Sequence, residues 1–116
     1  MQRPCSVALV GNPNAGKTTV FNALTGSRQT IGNWPGVTVE RKEGVCRLPS
    51  GSNLTVVDLP GIYSLMASSE DERIAVDFIL SRRADLLINV IDGSNLERNL
   101  YLTLLLTELR VPMIHV

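Results

Sequence analysis

Apolar residues fall in short blocks along this chain, and the block lengths and flanks predict its secondary structure. Val7-Ala8-Leu9-Val10 has no polar face, as expected of a strand covered on both sides. Leu86-Leu87-Ile88-Asn89-Val90-Ile91 has the same character, and Val111-Pro112-Met113-Ile114-His115-Val116 reads as one more strand. Gly44-Val45-Cys46-Arg47-Leu48 and Leu54-Thr55-Val56-Val57 flank the turn-forming Pro49-Ser50-Gly51-Ser52-Asn53, which predicts an antiparallel pair. Thr19 to Leu24 is compatible with a helix. A second helix is predicted after Ser69, which with Glu72 forms a capping-box pattern. Glu70, Asp71 and Glu72 crowd its first turn and Arg82-Arg83 its last, which suits the helix dipole. Ile74, Ala75, Phe78 and Ile79 would form its buried stripe. Ser94 and Glu97 repeat the capping pattern ahead of Leu96, Leu100, Leu104 and Leu105. The order β-α-β-β-α-β-α-β predicts an α/β domain with a mostly parallel sheet and one antiparallel strand.

The first apolar block runs into Gly11-Asn12-Pro13-Asn14-Ala15-Gly16-Lys17-Thr18, which fits G-x-x-x-x-G-K-[ST], and Thr19 follows in the helical segment. A strand before and a helix after are the context this motif needs to mean a phosphate-binding loop. Glycines let successive N–H groups turn toward one anion at the positive end of a helix. Lys17 would reach the β- and γ-phosphates, and the Thr18 hydroxyl would ligate Mg²⁺. The chain is therefore expected to bind a nucleoside triphosphate.

Asp58-Leu59-Pro60-Gly61 sits at the end of the Leu54–Val57 block, about forty residues after the phosphate loop. Ligands in open α/β sheets bind at the carboxyl ends of strands. There Asp58 can hold Mg²⁺ through water, and the Gly61 N–H can meet a γ-phosphate. Between the two motifs, Gly32-Asn33-Trp34-Pro35-Gly36-Val37-Thr38-Val39-Glu40 begins as a turn and ends in β-branched residues. Thr38 has two readings: a switch hydroxyl completing the Mg²⁺ shell, or a strand-start threonine chosen for β-propensity. Trp34, in so polar and Gly/Pro-rich a stretch, is expected to be exposed or ligand-gated.

Together with Asn95-Leu96-Glu97-Arg98-Asn99-Leu100-Tyr101-Leu102-Thr103, these motifs resemble the cytosolic GTPase domain of the ferrous iron transport protein B (FeoB) family. The resemblance runs through almost the whole chain. It implies a Ras-like P-loop NTPase fold, with GTP and GDP as ligands and Mg²⁺ as cofactor. By motif match, Lys17 and Thr18 meet phosphate and Mg²⁺. Gly36, Val37 and Thr38 belong to the first switch, and Asp58 and Gly61 open the second. The resemblance also implies that Asn14 helps place an activating K⁺; the residue type alone fits a turn former equally well. In the family such a domain precedes a helical regulatory domain and a membrane permease. That would place this chain in the cytoplasm, at the inner face of the bacterial membrane.

Two departures qualify the resemblance. No Asn-Lys-x-Asp-type guanine-reading motif is present, so residues 1–116 are expected to form a single, incomplete G domain whose C-terminal part is missing. After Gly61 stands Ile62, where Ras-like enzymes place a water-orienting glutamine. Arg28, Arg41 and Arg73 lie near the switches, but none is identifiable as an arginine finger. Slow hydrolysis is expected.

Basic and acidic residues balance at 11 each, which gives no electrostatic footprint for nucleic acid. No run approaches the ~18 apolar residues of a membrane span, and no secretory leader is expected. Cys5 and Cys46 are expected to be packing residues, and His115 to be strand surface or core. The strand at 112–116 would be an uncovered edge, which predicts a homodimer, strand exchange or a marginally stable monomer. Three functional readings remain: a slow GTPase switch for iron uptake, a non-hydrolysing nucleotide-binding or interaction module, and, less favoured, an ATP-binding P-loop protein.

Overall fold

The computed structural model describes residues 5–13 and 15–116. The elements run β1 (Cys5–Gly11), α1 (Lys17–Thr25), β2 (Gln29–Asn33), β3 (Glu40–Arg47), β4 (Asn53–Asp58), α2 (Glu70–Leu80), β5 (Leu86–Val90), a 3-10 turn (Gly93–Asn95), α3 (Leu96–Glu108) and β6 (Met113–His115). One sheet holds all six strands in the order β2-β3-β4-β1-β5-β6. β1 pairs in parallel with β4 and β5, and β5 with β6. β3 pairs antiparallel with both β2 and β4, so it alone runs against the rest. The fold is the mixed α/β sheet expected from the sequence.

The alternation of β1 divides the core. Ala8 and Val10 face a large cluster with Val57, Leu59, Ile62, Phe78, Ile79, Leu102 and Leu106. Leu9 faces the other way, onto Val56 and Phe21 of α1. A period-two side-chain pattern does this only when both sheet faces are covered.

Several expectations need correction. β2 was not foreseen: Gln29-Thr30-Ile31-Gly32-Asn33 is polar and mostly exposed, so as an edge strand it carries no apolar block. β3 begins at Glu40, four residues earlier than the Gly44 expected, because its charged first half pairs with β2 rather than packing in the core. Arg82 and Arg83 lie beyond α2, which ends at Leu80. Arg82 has a left-handed backbone (φ 56°) and donates to the Leu109 carbonyl at 2.9 Å. At the other end of α2 the capping expectation holds, since Ser69 Oγ accepts from the Glu72 N–H at 3.2 Å.

Ser94 does not cap α3. Asp92 Oδ1 takes both the Ser94 N–H (3.0 Å) and its hydroxyl (2.7 Å), which winds residues 93–95 into the 3-10 turn. Asn99 Oδ1 accepts from the Asp92 N–H and is itself buried, so α3 turns Asn99, Leu102 and Leu106 inward. Leu96, Leu100 and Leu104 of the same helix are exposed.

Of the two expectations for Trp34, exposed or ligand-gated, the structure overturns the first. Trp34 is 5% exposed and belongs to the main core cluster. Its ring meets Phe78 of α2 edge-on, at 5.8 Å between centroids and 73° between planes. β6 forms one end of the sheet, and among the described residues no strand pairs with its outer side.

Candidate functional site

β1 ends at Gly11, and the chain returns as α1 at Lys17. Gly16, the residue before the helix, has φ 95°, a conformation that costs a side-chain-bearing residue but not glycine. The Ala15 N–H closes the turn on the Asn12 carbonyl at 3.1 Å. Lys17 and Thr18 are thereby delivered in the first turn of α1, which carries no acidic residue to oppose an anion.

The end of β4 is fastened to this loop through the backbone. The Leu59 N–H donates to the Leu9 carbonyl (3.2 Å), and the Ile62 N–H to the Gly11 carbonyl (2.9 Å). Asn12 Nδ2, in a side chain 3% exposed, donates to the Ile62 carbonyl at 2.8 Å. Gly61 lies so close that a Cβ there would stand 2.7 Å from the Pro13 backbone. The consequence is charge convergence: Lys17 Nζ lies 3.3 Å from Asp58 Oδ1, with only 12% and 10% of the two side chains exposed. Such a pair stabilises little in net terms, but removal of either partner leaves a costly lone charge.

The cleft above this pair has a volume of about 190 Å³. Two basic residues, Lys17 and Lys42, and three acidic ones, Glu40, Asp58 and Asp71, are among those that line it. Lys42 stands opposite Asp58 in the β3–β4 register. Among the described residues no group of three His, Cys, Asp or Glu side chains could hold a metal by itself. The donors fit Mg²⁺ nonetheless, because that ion takes hard oxygen ligands from one or two carboxylates and completes its shell with phosphate and water. Asp58 and the Thr18 hydroxyl are donors of that kind.

Of the residues expected from the sequence, Lys17 and Asp58 line this cleft; Gly11, Asn12, Pro13 and Gly61 join the two segments that carry them, and Ala15, Gly16 and Thr18 belong to the loop and first turn around Lys17. Thr19 follows on the exposed side of α1. Gly36, Val37 and Thr38 lie in the β2–β3 connection, where Val37 packs on the core and Thr38 is exposed. Thr38 does not line the cleft, whereas its neighbours Val39 and Glu40 do. Asn14 lies outside the described residues. Sequence reasoning missed Glu40, Lys42 and Asp71, whose charges read as ordinary surface; the β3–β4 register sets Lys42 opposite Asp58, and the first turn of α2 contributes Asp71. It also missed Asn12 as a tie, because an asparagine in a phosphate loop looks like turn chemistry.

The family model described as ferrous iron transport protein B matches residues 5–116. The chain belongs to the FeoB family. It is 62% identical over 113 residues to the Fe(2+) transporter FeoB of Escherichia coli strain K12, covering 94% of this chain and 14% of that protein. The Salmonella typhimurium LT2 transporter is 61% identical over the same length and shares. The chain therefore spans about one-seventh of the curated relatives it matches. Among solved structures, the G domain of the T. maritima FeoB iron transporter superposes with a TM-score of 0.91 at 51% identity, over 97% of this chain and 70% of that one. The cytosolic domain of T. maritima FeoB in its GMPPNP form gives 0.90 at 52%, over 96% and 44%. A GDP-bound mutant of the S. thermophilus FeoB G-domain gives 0.88 at 52%, over 97% and 42%. No helix among the described residues is long and apolar enough to cross a membrane.

Proposed function

We propose that this chain is the guanine-nucleotide switch of a bacterial ferrous iron transporter, binding GTP and GDP and hydrolysing GTP slowly with Mg²⁺. The observation that carries this reading is the 3.3 Å approach of Lys17 to Asp58 beside the phosphate loop. On nucleotide binding, Lys17 leaves Asp58 for the β- and γ-phosphates, and the N–H groups of the Gly11–Thr18 loop receive the remaining phosphate oxygens. The freed Asp58 carboxylate, together with the Thr18 hydroxyl, would hold Mg²⁺, and the ion would supply charge neutralisation for the phosphates. Thr38 would add its hydroxyl when a γ-phosphate is present, and Gly61 would offer that phosphate an N–H.

Hydrolysis is slow because the position that would orient water is apolar and turned away. Ile62 is fully buried in the core. K⁺ held with the help of Asn14 is the remaining source of acceleration. The nucleotide state is passed to partners joined to this domain, a helical regulatory domain and a membrane permease. In that assembly the domain lies on the cytoplasmic face of the membrane. GTP turnover measured in K⁺ and in Na⁺, with Lys17→Ala as control, tests the reading; turnover equal to the control in both salts refutes hydrolysis.

A second reading, a non-hydrolysing module acting through protein contacts, has its own support. Ile114 on the edge strand, and Val116 just after it, are more than half exposed. Edge strands of this kind pair with other chains, and a homodimer through β6 is the form this would take.

A further inference from the structure

Trp34 is the centre of a stack that the nucleotide site does not use. The Arg41 guanidinium lies 4.6 Å from the indole centroid, and Phe78 meets the indole edge-on from the other direction. Beyond Phe78, the Arg83 guanidinium stands 5.9 Å from the phenyl centroid. One continuous stack therefore runs from β3, through the β2–β3 loop, into α2 and past its C-terminal end.

The same loop carries Thr38. It is closed on itself by two hydrogen bonds, from the Trp34 N–H to the Val39 carbonyl (2.9 Å) and from the Val37 N–H to the Trp34 carbonyl (3.2 Å). Trp34 and Thr38 thus belong to one small turn, with the indole buried and the threonine exposed away from the cleft. Thr38 is not among the residues that line the cleft beside Asp58 while these bonds are closed. The seat is well packed but not fully satisfied. Trp34 Nε1 and Arg41 Nε are both buried with no hydrogen-bond partner among the described residues. Buried donors left unpaired favour a state in which they reach water, while the aromatic and cationic contacts favour the docked state. Two opposed preferences at one side chain are what a two-state element requires.

We propose that Trp34 is an off-state latch. Seated between Arg41 and Phe78, it holds Thr38 away from the phosphate site and ties the β2–β3 loop to α2, the helix that follows Asp58 and Gly61. The proposal rests on the nucleotide-switch reading above. A nucleoside triphosphate with Mg²⁺ recruits Thr38 and draws the indole out; a diphosphate leaves it seated.

Trp34 is the only tryptophan of the chain, so its emission reports the seat directly. The test follows that emission and its quenching by acrylamide with GDP and with GMPPNP, both with Mg²⁺, while calorimetry measures the two affinities in the wild type, Phe78→Leu and Arg41→Gln. The expected result is red-shifted, more quenchable emission with GMPPNP alone. Each variant should also raise the GMPPNP-over-GDP affinity ratio about threefold to tenfold, the equivalent of one lost aromatic or cation–π contact. The two variants act from opposite sides of the indole, so a folding defect in one leaves the other to decide. The latch is overturned if both nucleotides bind while the emission is the same with each and neither variant moves the ratio. Failure of both nucleotides to bind, seen by calorimetry alone, would remove the switch reading and the latch with it.

Discussion

The ammonium of Lys17 lies 3.3 Å from the Asp58 carboxylate, so the group that would meet phosphate and the group that would hold a metal neutralise each other across the cleft. Lys17→Ala deletes a charge-assisted contact to the nucleotide and leaves Asp58 facing the phosphates unscreened. Each such contact contributes about 1.5–3 kcal/mol, so nucleotide affinity should fall by one to two orders of magnitude. Calorimetric titration checks this, with circular dichroism to show that the fold survives.

Asp58→Asn retains the shape of that side chain but removes its charge. The dependence of nucleotide affinity on Mg²⁺ should shrink for the triphosphate, while the affinity measured in a chelator changes little. Titrations with and without EDTA separate the two.

Gly61→Ala should uncouple the end of β4 from the phosphate loop. Its Cβ would meet the Pro13 backbone at 2.7 Å, and neither segment is free to give way, because Leu59 and Ile62 are both tied to β1. Overpacking of this kind costs about 1–3 kcal/mol. For a domain of this size that lowers Tm by roughly 4–8 °C per kcal/mol, which thermal unfolding reads directly.

Glu72 should give α2 an acid-sensitive N-terminus. The hydrogen bond from Ser68 holds its carboxyl below the ordinary value of 4.5; slight desolvation opposes this, and Ser69 adds to the lowering. A depressed folded value means that the stabilisation is present above the unfolded value and is lost as pH falls through the folded one. Amide protection in the first turn of α2, taken relative to the intrinsic exchange rate at each pH, should therefore fall below about pH 4.5, and Glu72→Gln should remove that part of the pH dependence.

If β6 pairs with a second copy, Ile114→Lys should lower the dimer fraction in sedimentation equilibrium, because charged residues blunt edge strands. A monomeric wild type at every concentration would remove the homodimer from the account.

What was legible in the sequence follows from where the signal is local. Strands β1, β4 and β5 are apolar because both their faces are covered, and the phosphate loop announces itself through fixed glycine spacing. Ser69 and Glu72 lie three residues apart and need no tertiary information to be read as a cap. The burial of Trp34 was not legible because it depends on Phe78, forty-four residues away, and nothing in Asn33-Trp34-Pro35-Gly36 reveals that partner. The inward face of α3 was not legible for a similar reason. Asn99, a polar residue, faces inward because it accepts the Asp92 N–H, and this rotates the leucines at 96, 100 and 104 outward. Long-range register likewise decided that Lys42 would stand opposite Asp58.

The central claim is that the Lys17–Asp58 cleft is a guanine-nucleotide site. Its most direct test is calorimetric titration of the chain with GMPPNP and Mg²⁺, with Lys17→Ala in parallel. One-to-one saturable binding that the substitution weakens by at least tenfold is the expected result. Absence of saturation in the wild type, or equal binding by the variant, would contradict it.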